Sequence, residues 1–182
     1  MGVVKVLSHV TGNGQVPILL MGEELVACPG GVLFWPSQDV VVVADLHLEK
    51  GSSFARKGVF LPPYDSRATL ARLLKIIECL SPKTIIALGD SFHDIQGAER
   101  LCTDDRLTLK QLQTGREWIW VAGNHDPSPP KELGGTAVEE LSLGKLSFRH
   151  EPLPGFRGEI AGHLHPCSKV RGRSRSVRRS CF

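Results

Sequence analysis

The sequence has no long apolar run and no pair of cysteines at metal-binding spacing. No stretch approaches the ~18 consecutive apolar residues of a membrane span, and the start MGVVKVLSHV has no charged segment followed by an apolar core, as an export signal would. The five cysteines are scattered and form no CxxC motif, which argues against a disulfide framework and against a thiolate zinc site. We therefore expect a cytoplasmic protein that does not bind a membrane.

The composition is that of a globular protein. With 182 residues, 41% hydrophobic and 23% charged, the chain suits one domain over residues 1–182, and it shows no internal repeat. Acidic residues are missing from the C-terminal part, where the basic segment 171–182 either binds a phosphate-rich polymer or is simply solvated. Its end, SVRRSCF, resembles a strand that is cut short. Six basic residues and no acid lie between 169 and 182: Lys169, Arg171, Arg173, Arg175, Arg178 and Arg179.

Apolar runs separated by turn residues dominate the first third of the chain. PILLM, ELVAC, VLFW and DVVVVAD alternate with GEE, PGG and PSQ, which predicts a β meander that leads into a buried strand. Apolar residues at helical spacing predict a helix that is capped by Asp65 and ends before Pro82. Two further buried strands are predicted at 84–88 and 117–122, and residues 94–113 are predicted to be helical, with or without a loop.

The last third of the chain carries shorter elements. The segments TAVEELSL and KLSFRH are predicted to form a hairpin with Gly144 near its turn, and GEIAGHLHP to form a strand with its exit loop. Strands that alternate with helices and then give way to hairpins predict an α/β sandwich of layered sheets.

Polar side chains collect at the ends of the predicted strands, where open α/β folds place ligand sites. Each has an ordinary explanation by itself: Asp-x-His occurs by chance, a lone His150 suits an interface, and Asn124 suits a turn. Since side chains at i and i+2 share one face of a strand, Asp45 and His47 are expected to converge on one cation. Together the segments contain six of the seven histidines: His47, His93, His125, His150, His163 and His165.

This combination of side chains predicts a site for two metals. No cysteine lies at a clear ligand position, so the ligands are Asp, Asn and His, a set that suits manganese, iron, nickel or zinc. Two carboxylates, four imidazoles and an amide exceed the needs of one tetrahedral ion and suit two ions about 3.5 to 4 Å apart. Two cations would generate hydroxide near neutral pH and screen the charge of a phosphate under attack, while an imidazole could protonate the leaving oxygen.

In order, five motifs resemble those of the calcineurin-like metallophosphoesterases: Asp45-x-His47, Gly89-Asp90, Gly123-Asn124-His125-Asp126, His150 and Gly162-His163-x-His165. The stretches DLHLEKGSSFARKGVFLPPYDS and LGDSFHD are similar to the bacterial ligase-associated DNA-damage-response members of that superfamily. The resemblance implies a four-layer sandwich, in which two mixed β-sheets are flanked by helices. It also implies further C-terminal strands, so we expect the strands of this chain to be truncated there.

The resemblance further implies a role for each site residue. One metal would be held by Asp45, His47 and His165, the other by Asn124, His150 and His163, and Asp90 would bridge the two. His125 would protonate the leaving oxygen, with Asp126 as its orienting partner. His93 replaces the last Asp of the common GDxxD pattern, and we interpret it as a contact of a metal ligand or of the substrate.

The leading functional hypothesis is a manganese-dependent phosphodiesterase that cuts single-stranded DNA as an endonuclease in DNA repair. The resemblance implies an ATP-dependent DNA ligase, an exonuclease and a helicase as partners. Lys50 and Arg56, together with Lys57 and Arg67, follow the first metal motif and could contact the DNA backbone. An alternative substrate is a nucleotide, a cyclic nucleotide or a phosphoprotein. A non-catalytic scaffold of the same fold is a third hypothesis, against which the complete set of ligands and His125 counts.

Overall fold

An eight-stranded sheet organises the computed structural model, which describes residues 5–6, 14–128, 131–172 and 175–182. The first five strands pair antiparallel as a meander, and the fifth to the eighth pair parallel, which confirms the predicted meander and buried strands. The strands follow one another across the sheet in sequence order: β1 (Lys5–Val6), β2 (Val16–Leu20), β3 (Glu23–Cys28), β4 (Val32–Trp35), β5 (Val40–Val43), β6 (Thr84–Leu88), β7 (Glu117–Val121) and β8 (Thr136–Val138).

In the described residues, four α-helices lie in the connections between the parallel strands: α1 (Lys50–Arg56), α2 (Asp65–Leu80), α3 (Gly97–Arg100) and α4 (Thr103–Gln113). The predicted helix from Asp65 is α2, although Asp65 is its first helical residue rather than its cap. The polar region 94–113 contains two helices, α3 and α4, with Leu101 and Cys102 between them. Among the described residues, no helix has the length and apolar character that crossing a bilayer requires.

Helices α2 and α4 lie on the same face of the large sheet, because right-handed crossovers between strands added in one direction place their helices on one side. Their buried residues Leu70, Ile77 and Leu109 share an apolar cluster with Ile85 and Trp120 of the sheet. The opposite face of the sheet packs on a second, smaller sheet. Burial on both faces is what the continuous β-branched run of β5 predicted.

The smaller sheet contains β9 (Leu141–Leu143), β10 (Leu146–Arg149) and β11 (Glu159–Ala161) in the order β11-β10-β9. Strand β10 pairs antiparallel with β9 and parallel with β11. The predicted hairpin arm TAVEELSL was wrong as one element: Thr136–Val138 pairs with β7, and only Leu141–Leu143 forms the hairpin. Val138 packs in the apolar cluster between the two sheets, and its strand pairs with the edge of β7. The alternation of apolar and polar residues in TAVEELSL does not show which strand it pairs with. The mixed α/β sandwich of two sheets and helices is confirmed.

An exposed two-stranded ribbon follows the smaller sheet. It consists of β12 (Cys167–Arg171) and β13 (Ser176–Ser180), which pair antiparallel with Lys169 opposite Arg178. The strand predicted within SVRRSCF is thus β13, and its partner among the described residues is β12. Arg173 of the basic segment lies outside the described residues.

Candidate metal centre

The predicted site residues follow the C-terminal ends of strands in both sheets, and these ends lie close together. Strands β5, β6 and β7 are parallel, so the residues that follow them share one edge of the large sheet. Strands β10 and β11 are also parallel, and the residues that follow them meet this edge from the other layer. The predicted site residues supplied in this way are Asp45, His47, Asp90, Asn124, His125, Asp126, His150, His163 and His165.

Asp45 and His47 converge through loop conformation and not through a strand. Strand β5 ends at Val43, and both residues have left-handed backbones, with φ of 52° and 44°. A left-handed conformation costs a non-glycine residue about 1 to 2 kcal/mol, and such strain concentrates at functional sites. Nine non-glycine residues of the described chain have positive φ, and five of them lie here: Asp45, His47, Asp90, His163 and His165.

The first cluster joins Asp45, His47 and His165. The Nε2 atoms of the two histidines lie 3.3 Å apart, and Nε2 of His165 lies 3.7 Å from Oδ1 of Asp45. Burial lowers the pKa of His47 to about 4, and His165 adds to the shift while Asp90 opposes it. His47 is therefore neutral at physiological pH and can offer a nitrogen lone pair to a cation.

The second cluster joins Asn124, His150 and His163. Nδ1 of His150 donates to the carbonyl oxygen of Leu88 at 3.2 Å, so Nε2 of the neutral ring is an acceptor. That atom faces the amide oxygen of Asn124 at 2.9 Å and Nδ1 of His163 at 3.3 Å. The amide oxygen also lies 3.0 Å from Nδ1 of His163. Two acceptors held this close favour a cation between them.

Asp90 lies between the two clusters. It is 2% exposed, and its Oδ2 lies 3.3 Å from Nε2 of His150. Its Oδ1 accepts the backbone N–H of His125 at 2.8 Å. Oδ1 of Asp45 lies 3.9 Å from Nδ1 of His150, so carboxylates from both strand ends reach the same ring. Nitrogen and oxygen donors without sulfur fit divalent metals of hard to borderline character.

His125 is oriented by a backbone carbonyl. Its Nδ1 donates to the carbonyl oxygen of His93 at 2.8 Å, which leaves Nε2 free to exchange a proton. Nε2 lies 3.9 Å from Oδ2 of Asp90, and the side chain is 40% exposed. The imidazole thus stands beside the clusters and remains open to solvent.

Asp126 does not orient His125, which corrects the sequence-based expectation. Its Oδ2 accepts the backbone N–H of Phe92 at 3.0 Å, and its Oδ1 is buried without a hydrogen-bond partner among the described residues. The pKa of Asp126 is raised to about 6, because burial and the charge of Asp90 together outweigh the backbone N–H groups that lower it. The buried carboxyl group therefore holds the loop after β6 through the backbone of Phe92.

His93 borders the clusters, while Lys50 and Arg56 lie on α1. The centroid of the His93 ring lies 5.4 Å from the ring centroids of both His47 and His125. Its Nδ1 is buried without a hydrogen-bond partner among the described residues. Lys50 is exposed at the start of α1, and Arg56 is exposed and donates to Gln96.

Arg67 contacts acids and not an open groove. Its guanidinium lies 3.0 Å from Asp104 and 3.6 Å from Asp105 of α4. These acids offset its charge, and the contact of Arg67 with the DNA backbone stays a prediction. The ion pair links α2 to α4. Arg67 lies on the polar side of the amphipathic helix α2, as the spacing of its apolar residues predicts.

Sequence reasoning missed the backbone groups that position the imidazoles. The carbonyls of Leu88 and His93 decide which ring nitrogen of His150 and His125 carries the proton. Every residue carries a carbonyl, so no sequence signal identifies these two.

Position 89 requires glycine because the His150 ring lies too close to its Cα to leave room for a Cβ. Gly89 has φ of +73°, and a Cβ there would lie 2.3 Å from Nδ1 of His150. Gly115 has φ of +72° and no atom within 4 Å of such a Cβ, so it is a matched control.

Gly89→Ala is therefore expected to destabilise the protein more than Gly115→Ala. Both substitutions cost about 1 to 2 kcal/mol for the left-handed backbone. Gly89→Ala adds a clash of about 1 to 3 kcal/mol and displaces His150. Urea unfolding of both variants measures the difference, and equal free energies of unfolding would show that His150 does not pack against this glycine.

Comparison with known proteins identifies the family of the chain. The family model for the calcineurin-like phosphoesterases matches residues 39–172, which span β5 to β12 and every candidate ligand. The chain belongs to this family. The resemblance that the five motifs indicate is therefore confirmed, and the chain is a metal-dependent phosphoesterase.

A solved structure supports the same assignment. This calcineurin-like phosphoesterase is similar to the protein described in "Crystal structure of Pseudomonas putida nuclease MPE", with 29% identity and a TM-score of 0.74. The alignment covers 92% of this chain and 80% of that one. No curated protein sequence was found to match. The family uses a dinuclear centre of divalent metals, and the clusters around Asp90 provide suitable donors.

Proposed function

We propose that this phosphoesterase is a manganese-dependent endonuclease that hydrolyses phosphodiester bonds of single-stranded DNA in repair. The observation that carries the proposal is the pair of acceptor clusters on either side of buried Asp90, with His125 beside them. The similarity to a Pseudomonas putida nuclease supports a nucleic-acid substrate. We further propose that the protein works in the cytoplasm with a ligase, an exonuclease and a helicase of the same pathway.

In this proposal each cluster holds one cation. Asp45, His47 and His165 would bind one metal, Asn124, His150 and His163 the other, and Asp90 both. Two divalent ions bound there would supply a nucleophile from water near neutral pH and stabilise charge on the phosphate. The carbonyl of Leu88 holds the proton of buried His150 on Nδ1, so the lone pair of Nε2 is available to bind a metal.

His125 acts as the general acid. Its Nδ1–H is engaged by the carbonyl of His93, so a proton destined for the leaving oxygen is carried on Nε2. The side chain reaches solvent and can be reprotonated after each turnover. His93 borders this face and is proposed to contact the substrate together with Lys50 and Arg56.

The centre lies where a polymer can reach it. Asn124, His163 and His165 are exposed, so one side of the centre is open to solvent although Asp90 and His150 are buried. Basic residues of α1 flank one side, and the β12–β13 ribbon follows the last histidine motif. This arrangement supports a long anionic substrate over a small enclosed one.

The proposal is tested with covalently closed, circular single-stranded DNA. We expect linear product with manganese and none with a chelator, because a circle has no ends and only an endonuclease linearises it. Parallel reactions with iron, nickel and zinc identify the metal. If a folded, metal-loaded protein leaves circles intact but hydrolyses phosphomonoesters or cyclic nucleotides, the small-molecule alternative replaces the DNA hypothesis.

A further inference from the structure

An apolar surface next to α1 has no role in the chemistry described above. The segment 57–64, with the sequence KGVFLPPY, connects α1 to α2 and is here called the 57–64 loop. Phe60 is 86% exposed and Tyr64 66%, while Val59 and Leu61 beside them are also exposed. Single exposed apolar residues are ordinary, but four within one eight-residue loop form an apolar surface of the kind that marks binding sites.

The loop and helix α1 form a groove of about 400 Å³. Phe60, Leu61 and Pro63 line one wall, and Ala55 of α1 lies in the other. Small-ligand sites occupy about 300 to 1,000 Å³ and are lined mainly by apolar side chains. The groove is therefore large enough for a planar ring stacked on Phe60.

The charged residues that line the groove are both acidic, while basic residues occur nearby in the chain. The carboxylates of Glu49 and Asp65 lie inside, where they accept hydrogen bonds from Ser66 Oγ at 2.8 Å and from the backbone N–H of Gly51 at 3.0 Å. An anionic phosphate is disfavoured beside them. Lys50 and Arg56 of α1 and Lys57 at the start of the loop are exposed, and each adjoins groove-lining residues in the chain or begins the loop that forms the groove.

Phe54 of α1 does not line the groove, but it connects the start of the 57–64 loop to the histidines of the metal centre. The Phe54 ring lies 5.6 Å from the His93 ring, which lies 5.4 Å from that of His125. The Phe54 carbonyl accepts the backbone N–H of Lys57 at 2.9 Å and of Val59 at 3.0 Å, so the loop starts directly behind Phe54. Helix α1 therefore adjoins both the histidines of the metal centre and the groove.

We infer that the groove between α1 and the 57–64 loop binds a base of a single DNA strand, which stacks on Phe60, while Lys50, Arg56 and Lys57 hold the phosphates on either side. The choice of DNA as the occupant rests on the proposed function. Exposed aromatic groups beside a basic rim are the usual arrangement for single-strand binding. Since a paired base cannot enter, the groove would also select unpaired DNA over a duplex.

The test separates base contacts from phosphate contacts. A labelled oligonucleotide and an abasic strand of the same length are bound, without metal, by the native protein, Phe60→Ala and Phe60→Trp, with fluorescence anisotropy as the readout. Loss of one stacked base weakens binding about tenfold. We expect Phe60→Ala to bind the normal strand about tenfold more weakly and the abasic strand equally well, and Phe60→Trp to restore binding.

Leu107→Ala is the matched control, because Leu107 is 60% exposed on α4 and outside the groove. The inference is overturned if Phe60→Ala leaves binding of the normal strand unchanged or weakens both strands equally. It is also overturned if Phe60 instead mediates self-association in gel filtration. Base-dependent binding through Phe60 without cleavage of circles would overturn the endonuclease proposal alone, and cleavage without base-dependent binding would overturn this inference alone.

Discussion

Asp90→Asn is expected to lower the rate of phosphodiester hydrolysis by about a thousandfold. Asp90 is the buried carboxylate between the two acceptor clusters, and the amide would remove the negative charge there. The metal contribution to transition-state stabilisation is several kcal/mol, and each 1.36 kcal/mol is a factor of ten in rate.

The same substitution is expected to remove the stabilisation that metal provides. At a hundredfold excess over its Kd, a ligand that binds only the folded state stabilises it by about 2.7 kcal/mol. For a protein of this size that raises the Tm by about 5 to 10 °C. We expect manganese to raise the Tm of the native protein and to have a much smaller effect on Asp90→Asn.

Asp104→Asn is the matched control, since Asp104 is an exposed carboxylate of α4 that pairs with Arg67. It should keep both the hydrolytic rate and the response to manganese. Full activity and metal-dependent stabilisation in Asp90→Asn would show that Asp90 does not bind the ions.

His125→Ala is expected to separate proton transfer from metal binding. General acid catalysis contributes about a hundredfold to ten-thousandfold, so hydrolysis of DNA should fall by that factor. A p-nitrophenyl phosphodiester should react nearly as well as with the native protein, because p-nitrophenolate leaves without a proton. The metal content, measured after gel filtration, should be unchanged.

His163→Ala provides the contrast for this experiment. His163 belongs to the cluster with Asn124 and His150, so its loss should impair both substrates and lower the metal content. Equal loss of DNA and p-nitrophenyl hydrolysis in His125→Ala would mean that His125 acts through the ions or the fold. A non-catalytic scaffold predicts a third result, in which His125→Ala changes no activity of the protein.

The secondary structure could be predicted where local periodicity carries the information. The β-branched run of β5 and the apolar spacing of α2 each specify one element, because burial on two faces or on one stripe leaves a recognisable pattern. The partner of Thr136–Val138 left no such pattern. Its strand pairs with β7, and that choice depends on an edge that exists only in the folded sheet.

The candidate site could be predicted for a topological reason. Polar residues that follow parallel strands must share one edge, so Asp45, Asp90 and Asn124 were expected together from their positions alone. How they converge was not predictable. Asp45 and His47 use left-handed backbones, and the ring of His125 is held by the carbonyl of His93 instead of by Asp126.

By itself the sequence determined the order of the elements, the ligand types and their placement at strand ends, because these follow from local pattern and from the chemistry of each side chain. Only the tertiary structure decided which atoms face each other. It paired Arg67 with the acids of α4, oriented the imidazoles through backbone carbonyls and left Phe60 exposed in a groove beside α1. Such contacts join residues far apart in the chain, and their distances depend on the packing of whole layers.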